Sequence, residues 1–227
     1  MAKTSLAKEM REQPSALDRK PTSIGPFVTI SREYGCHGFS LGLLLWDLLN
    51  EHAAPKQSWQ IYHKEILARL ATETNMAQEM LEQEMSSRPN LIADFLKFFS
   101  KEHGPSGYEI IKRVTAIIRG LAIQGRAIIV GQGGAAATYD LPNGLSIRLE
   151  APEDWRIKQV SFREGLSEEQ AREKIKEIDQ ERKFLRGMYE IRFHHGPAFD
   201  ITYDCSVFTL TQIAQHVIGM MQLRKMI

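Results

Sequence analysis

The stretch VTISREYGCHGFSLGLLLWDLL, Val28 to Leu49, constrains the fold more than any other part of the chain. Val28, Thr29 and Ile30 form a β-branched run that suits a strand, whereas Leu41, Leu44, Leu45, Leu48 and Leu49 recur at helical spacing. Between them lies only a short loop punctuated by Gly35 and Gly38. A strand passing through a glycine turn into an apolar helix is half of a βαβ unit, and it predicts a strand at Phe27–Ser31 and a helix at about Phe39–Glu51.

The same alternation continues downstream. Trp59–Tyr62 reads as a second short strand, and from Lys64 to about His103 the pattern turns helical. Ile66 and Leu70, Met76, Met80 and Met85, then Leu91, Phe95, Leu96 and Phe99 mark it, with an interruption at Pro89 and a close at HGPSG. The segment 64–103 is therefore expected to be a helical insertion. Ile110, Val114, Ile117, Ile118 and Leu121 share one face of a longer helix ending near Gly125, which delivers the chain to a buried strand at Ile128–Val130. A strand over Leu145–Pro152 precedes helices at about Glu153–Glu164 and Ser167–Leu185. The latter opens on a capping box, Ser167 to Gln170, and carries Ala171, Ile175, Ile178 and Leu185 as an apolar stripe. A last strand near Ile201–Asp204 leads into a helix bearing Ile213, Val217 and Met221. Strands alternating with helices predict an α/β fold with a parallel sheet covered on both faces.

Composition narrows the class. With 227 residues and 43% hydrophobic content, the chain can bury a substantial core as one domain, spanning 26–227, with an inserted smaller part. A formal net charge of +1 argues against broad attachment to nucleic acid or to an anionic membrane. No run approaches the roughly 18 apolar residues of a membrane span. Residues 1–25 mix Lys, Glu, Ser and Pro without periodicity or an apolar h-region, and read as a flexible leader. Cys36 and Cys205, the only cysteines, cannot form a disulfide framework, so free thiols and the cytoplasm are expected. His194 and His195 are adjacent, lack a carboxylate at ligand spacing, and do not read as a metal site.

Ligands of a parallel sheet sit beyond the carboxyl ends of its strands. SREYGCHGFS, GQGGAAATYD and DCSVFT fall there. A glycine loop at a helix N-terminus can aim several backbone N–H groups, aided by the helix dipole, at one anion, and phosphate is the natural guest. His37 could face such a phosphate when protonated, although a surface histidine is the blander reading, and Cys36 reads as a small loop filler. GQGGAAAT lacks the full GxGxxG phasing, which argues against a Rossmann cofactor.

VTISREYGCHGFSLG resembles the opening ISREYGSGG signature of the cytidylate kinase-like proteins, P-loop relatives of the bacterial CMP kinases. IIRGLAIQGRAIIVGQGG resembles their helix followed by IVGRGA, APEDWRIKQVSFREGLSEEQAREKIKEIDQERKFLRGMY resembles their lid segment, and FDITYDCSVFTLTQI their last strand and helix. The resemblance implies a P-loop NTPase-type three-layer sandwich with a nucleoside monophosphate-binding insertion, a lid at about 156–196, and ATP with Mg²⁺ as donor. It implies a phosphate loop made of Gly35, Cys36, His37, Gly38, Phe39 and Ser40, with Ser40 touching the metal. Arg156, Arg163, Arg182 and Arg186 become candidates for clamping phosphoryl oxygens or stacking on the donor base, with Asp179 and Arg182 at the spacing of the family's lid pair.

Departures from the family pattern are equally informative. The P-loop Lys falls at Gly38, Phe39 stands where relatives carry Arg, Gln132 replaces the Arg of IVGRGA, and His63 replaces the Asp of YDKE. Arg32, just upstream, is the nearest substitute for the lost charge, and Arg126 lies at the wrong end of its strand. Two functions remain open at this level: a phosphotransferase moving the ATP γ-phosphoryl to a nucleoside monophosphate or similar small acceptor, or a nucleotide-binding regulatory module that kept the fold and lost the chemistry. Nucleotides are the expected partners, and a homodimer is left open.

Overall fold

The computed structural model describes residues 24–51, 57–63, 105–190 and 199–227, without the side chains of 105–113 and 184–190. The expected insertion at 64–103, the leader up to residue 23 and His194-His195 lie outside the described residues.

The elements follow the alternation read from the sequence. β1 (Phe27–Arg32) leads into α1 (Gly38–Asn50), then come β2 (Gln60–Tyr62), α2 (Pro105–Gln124) and β3 (Ala127–Val130). A single turn, α3 (Gly134–Ala137), is followed by β4 (Gly144–Glu150), α4 (Glu153–Glu164), α5 (Glu168–Glu190), β5 (Ile201–Asp204) and α6 (Leu210–Leu223). All paired strands are parallel, in the order β2-β3-β1-β4-β5. The α3 turn was not anticipated, because GAAA is too short to show periodicity.

Period-two alternation sorts the strands into two faces. Val28, Ile30, Ile128, Val130, Leu145, Ile147, Leu149 and Tyr203 point to one side, where α1 and α6 cover them with Leu41, Leu45, Ile213, Val217 and Met221. Phe27, Ala127 and Ile129 point to the other, under Val114, Ile117, Ile118, Leu121 and Ala122 of α2. The result is the three-layer α/β sandwich the sequence implies. Ile157, Val160, Ala171 and Ile175 make a separate small core that joins α4 to α5.

Local chemistry sets several boundaries. Pro105 opens α2, where a missing N–H costs nothing, and Gly125 follows its last residue with φ +80°. The expected capping box closes reciprocally, Gln170 N–H donating to Ser167 Oγ at 3.2 Å and Ser167 N–H to Gln170 Oε1 at 2.9 Å. Thr209 and Gln212 do the same for α6. Asn50 ties the end of α1 to the edge strand, its amide exchanging two bonds with the Trp59 backbone at 2.7 and 3.1 Å. Packing begins slightly ahead of Phe27. Ile24 lies against the α2-side core, and a Cβ on Gly25 would stand 2.8 Å from the Gly125 Cα.

The order of strands places the functional edge. After β1 the chain crosses to one side of the sheet for β2 and β3, and then returns to the opposite flank of β1 for β4. The carboxyl end of β1 is thus the switch point, where a parallel sheet opens a crevice. Ile147, fully buried between Ile30 and Ile201 on neighbouring strands, tests the core that holds this geometry. Ile147→Ala should lower the unfolding free energy by about 2–5 kcal/mol at unchanged urea m-value. Phe162→Ala, at a side chain 93% exposed, should change it by no more than about 0.5 kcal/mol.

Candidate functional site at the carboxyl end of β1

The loop between β1 and α1 turns sharply because two of its residues adopt left-handed conformations that the sequence supports unevenly. Gly35 has φ +96°, which favours glycine, and a Cβ there would stand 3.1 Å from Arg156 Cβ, a tight contact. His37 occupies the left-handed region at φ 49° without a glycine's freedom, as the N-cap residue of α1, and its side chain makes no cap bond. Gly38 then begins the helix. The first hydrogen bond of α1 joins Leu41 N–H to His37 O at 3.1 Å, which leaves the N–H groups of Gly38, Phe39 and Ser40 directed out of the helix end.

The opposite wall comes from β3. Gly131 N–H extends the sheet ladder to Ile30 O at 2.9 Å, and Gly131, Gln132 and Gly133 follow with φ of 80°, 55° and 71°. Gly134 N–H bonds Gly131 O at 3.0 Å, closing a turn with two left-handed central residues. Gln132 is therefore held in a strained backbone at the crevice, as residues beside functional sites often are.

Arg32 lies between these walls. Its stem runs along Gly38, where a Cβ would stand 2.9 Å from Arg32 Cγ, and its head covers Gly131, where a Cβ would stand 2.8 Å from Arg32 Cζ. Burial and the neighbouring Arg182 push Arg32 down to about 10, against the pull of Asp179. Arg182, on α5, donates to the Arg32 carbonyl at 3.3 Å and holds its guanidinium 5.4 Å from the Tyr34 ring centre. Burial lowers Arg182 as well. Two cations thus share one partly dry corner.

The remaining charges form a scaffold behind the loop. Asp179 accepts from Tyr34 N–H at 2.8 Å and from Arg156 Nη1 at 2.5 Å, with Arg182 Nη1 3.8 Å away. Arg156 also donates to the carbonyls of Ala151 and Tyr34, at 3.0 and 3.3 Å, and its Nε stands 3.3 Å from Glu33 Oε2. Glu33 in turn meets Arg148 at 3.5 Å. A second hub forms at the end of α4, where Glu164 accepts from Tyr34 Oη at 2.7 Å and Arg163 Nη2 at 2.5 Å, and pairs with Lys174 at 2.8 Å. Burial works to raise the Glu164 carboxyl, but the bonds from Lys174, Arg163 and Tyr34 prevail and hold it down to about 2.

The structure brings Arg32, Gly35, His37, Gly38, Phe39, Ser40, Arg163, Asp179 and Arg182 together around the loop. Arg156 is 8% exposed and bonded to Asp179 and to the carbonyls of Ala151 and Tyr34, so it braces the loop. Asp179 is likewise occupied, and it orients Arg156 and Arg182. Cys36 turns into the core, where its hydrogen bond with Cys205 and burial hold the thiol protonated; its N–H is spent on Glu33 O at 3.3 Å. Burial and Arg163 push His37 below its ordinary 6.5, against a hydrogen bond with Gln159. Arg163 Nη1 lies 3.4 Å from His37 Nδ1, at the rim. Ser40 is exposed on the first turn of α1, and Phe39, 43% exposed, meets His63 edge to face at 4.9 Å. Arg186 lies on α5 one turn beyond Arg182, with its side chain outside the described residues. Glu33, Tyr34 and Gly131 were not singled out, although the first two belong to the SREYG string and the third follows a strand directly. Nothing in the sequence points to Glu164, whose hydroxyl donor is 130 residues away.

An uncapped helix end beside Arg32 and Arg182, at the switch point of a parallel sheet, marks the candidate site of this α/β protein. The model of the cytidylate kinase-like family matches residues 27–207, and the chain belongs to that family. No curated protein matches it. Among solved structures, an uncharacterized protein from Eubacterium ventriosum ATCC 27560 is 22% identical, with a TM-score of 0.65 over 87% of this chain and 98% of that one. Shikimate kinase from Bacteroides thetaiotaomicron is 11% identical, TM-score 0.44, covering 88% of this chain and 98% of its own. TT1252 from Thermus thermophilus is 14% identical, TM-score 0.41, covering 86% and 97%. At 22% identity the likeness to the first of these is one of fold alone.

Two measurements test the scaffold. A carboxyl held below its ordinary 4.5 contributes stability above that pH and loses it as pH falls. The melting temperature should therefore drop between about pH 4.5 and 2, and Glu164→Gln should flatten that limb; an unchanged slope would place the acid sensitivity elsewhere. Asp179→Ala should cost about 1.5–3 kcal/mol, the scale of hydrogen bonds to charged groups. A denaturation midpoint equal to that of the wild type would show that other contacts hold α5 to the loop.

Proposed function

We propose that the chain is a phosphotransferase that takes the γ-phosphoryl of ATP, with Mg²⁺, to a nucleoside monophosphate or a similar small acceptor. One observation supports this above others: the open N-terminus of α1 faces the crevice that also receives Arg32 and Arg182. Backbone N–H groups and the helix dipole would hold the donor phosphates, and the two guanidiniums would neutralise charge that grows in transfer. The acceptor oxygen forms the new P–O bond while the bond to the β-phosphate oxygen breaks, so positioning and charge neutralisation do most of the work. The exposed Ser40 hydroxyl, which makes no hydrogen bond among the described residues, suits a Mg²⁺ carried by the nucleotide phosphates. The ion would supply further neutralisation of those phosphates. The family supports nucleotides as ligands.

A second reading, a nucleotide-binding module without turnover, draws on positions 38, 39 and 132, which carry no cation, Phe39 being occupied with His63 instead.

Nucleotides with Mg²⁺ should raise the melting temperature, since a ligand at 100 times its Kd adds about 2.7 kcal/mol. Transfer assays on the stabilising pairs then separate the readings. Arg182→Ala should lower kcat far more than it raises KM, the mark of a contact made mainly in the transition state. Stabilisation without transfer to any acceptor would favour the binding module, and no stabilisation by any nucleotide would overturn both readings.

A further inference from the structure

Building on that reading, we propose that Arg32 is the phosphate-contacting cation of this loop, delivered from the end of β1 into the space that a lysine at position 38 would use.

The register comes first. On the spacing G-x-x-x-x-G-K, Arg32 stands at the first glycine, His37 at the second and Gly38 at the lysine. The left-handed backbone of His37, φ 49°, agrees with a position that ordinarily asks for glycine. The loop thus carries Arg where that spacing has its first glycine and Gly where it has lysine.

Sterics show that the exchange is coupled. A Cβ at residue 38 would stand 2.9 Å from Cγ and 3.0 Å from Cδ of Arg32, so a side chain at 38 and this placement of Arg32 exclude each other. Gly131, across the crevice, is in the same position, with Arg32 Cζ 2.8 Å from where its Cβ would be. Two glycines on different elements thus make room for one arginine, which crosses from the β1 end to the β3 turn.

Charge supplies the reason for the placement. Among the described residues no carboxylate lies within 4.0 Å of the Arg32 guanidinium, and Arg182 is the cation beside it. A partly buried cation beside another cation, with Asp179 acting on it only from beyond 4.0 Å, is held at an energetic cost, and a bound anion offsets it. The phosphate chain of a nucleotide, seated on the N–H groups of Gly38, Phe39 and Ser40, is an anion of the right size at the right edge. An Arg fork also offers two parallel donors to one phosphate, which a lysine does not.

Isothermal titration with ADP and with inorganic pyrophosphate on four proteins tests the exchange. Arg32→Met keeps the stem against Gly38 and Gly131 while removing the charge; it should stay folded and bind both ligands at least about tenfold more weakly. Gly38→Lys alone should lose stability and gain no affinity, because Arg32 occupies its path. Arg32→Gly with Gly38→Lys should bind more tightly than Arg32→Met, restoring the cation by the other route. Wild-type affinity in Arg32→Met, or tighter binding by Gly38→Lys with Arg32 in place, overturns the proposal while leaving the functional reading intact. A wild type that binds neither ligand overturns the functional reading and this one with it.

Discussion

The carboxylate of Asp179 is the point on which the loop and both following helices converge. It takes the N–H of Tyr34 from the loop and a guanidinium N–H of Arg156 from α4, and it stands 3.8 Å from Arg182 on its own helix. Remove it, and a largely buried Arg156 faces only Glu33 and two carbonyls, while the loop loses the acceptor that sets its first turn. Charges this close to burial are held only when paired and hydrogen-bonded. Because Arg182 is oriented by the same carboxylate, the packing of α5 and the charge in the crevice are a single arrangement.

The site built on this scaffold divides its cations by environment. Arg148, Arg156 and Arg163 each meet a carboxylate within 4.0 Å and serve the frame. Arg32 has no carboxylate within 4.0 Å among the described residues and lies against Gly38 and Gly131, while Arg182 lies over the Tyr34 ring with Asp179 at 3.8 Å. Arg32 thus stands apart from the bracing arginines, with Arg182 intermediate between them, a distinction that spacing along an amphipathic helix could not draw. Positions 38 and 39 carry no cation, and the nearby guanidiniums come from the end of β1 and from α5.

The framework was readable in the residues. β-branched runs bounded by glycine became β1 and β3, leucine spacing became α1, and the Ser167–Gln170 box opened α5 as expected. Strand β5 and helix α4 fell on the expected residues, since each is bounded by clear period changes. The crevice loops were also legible, because strand-to-helix turns in a parallel sheet share one edge. Less legible was the fate of each polar side chain. Arg156 and Asp179 read equally well as ligand contacts, and nothing local revealed that they would satisfy one another. His37 read as a surface or phosphate-facing imidazole, yet a left-handed cap position half-buried it beside Arg163.

What the amino-acid sequence determined by itself was the layout: hydrophobic period selects strand or helix, and alternation of the two selects a parallel α/β sandwich with its ligand edge at the strand ends. Tertiary structure alone decided which charges meet. Asp179 lies 145 residues from Tyr34, and Arg182 lies 150 residues from Arg32, so these contacts exist only once α5 packs across the loop. Periodicity is a local property of the chain, whereas pairing, desolvation and the space beside a glycine depend on what the folded neighbours bring.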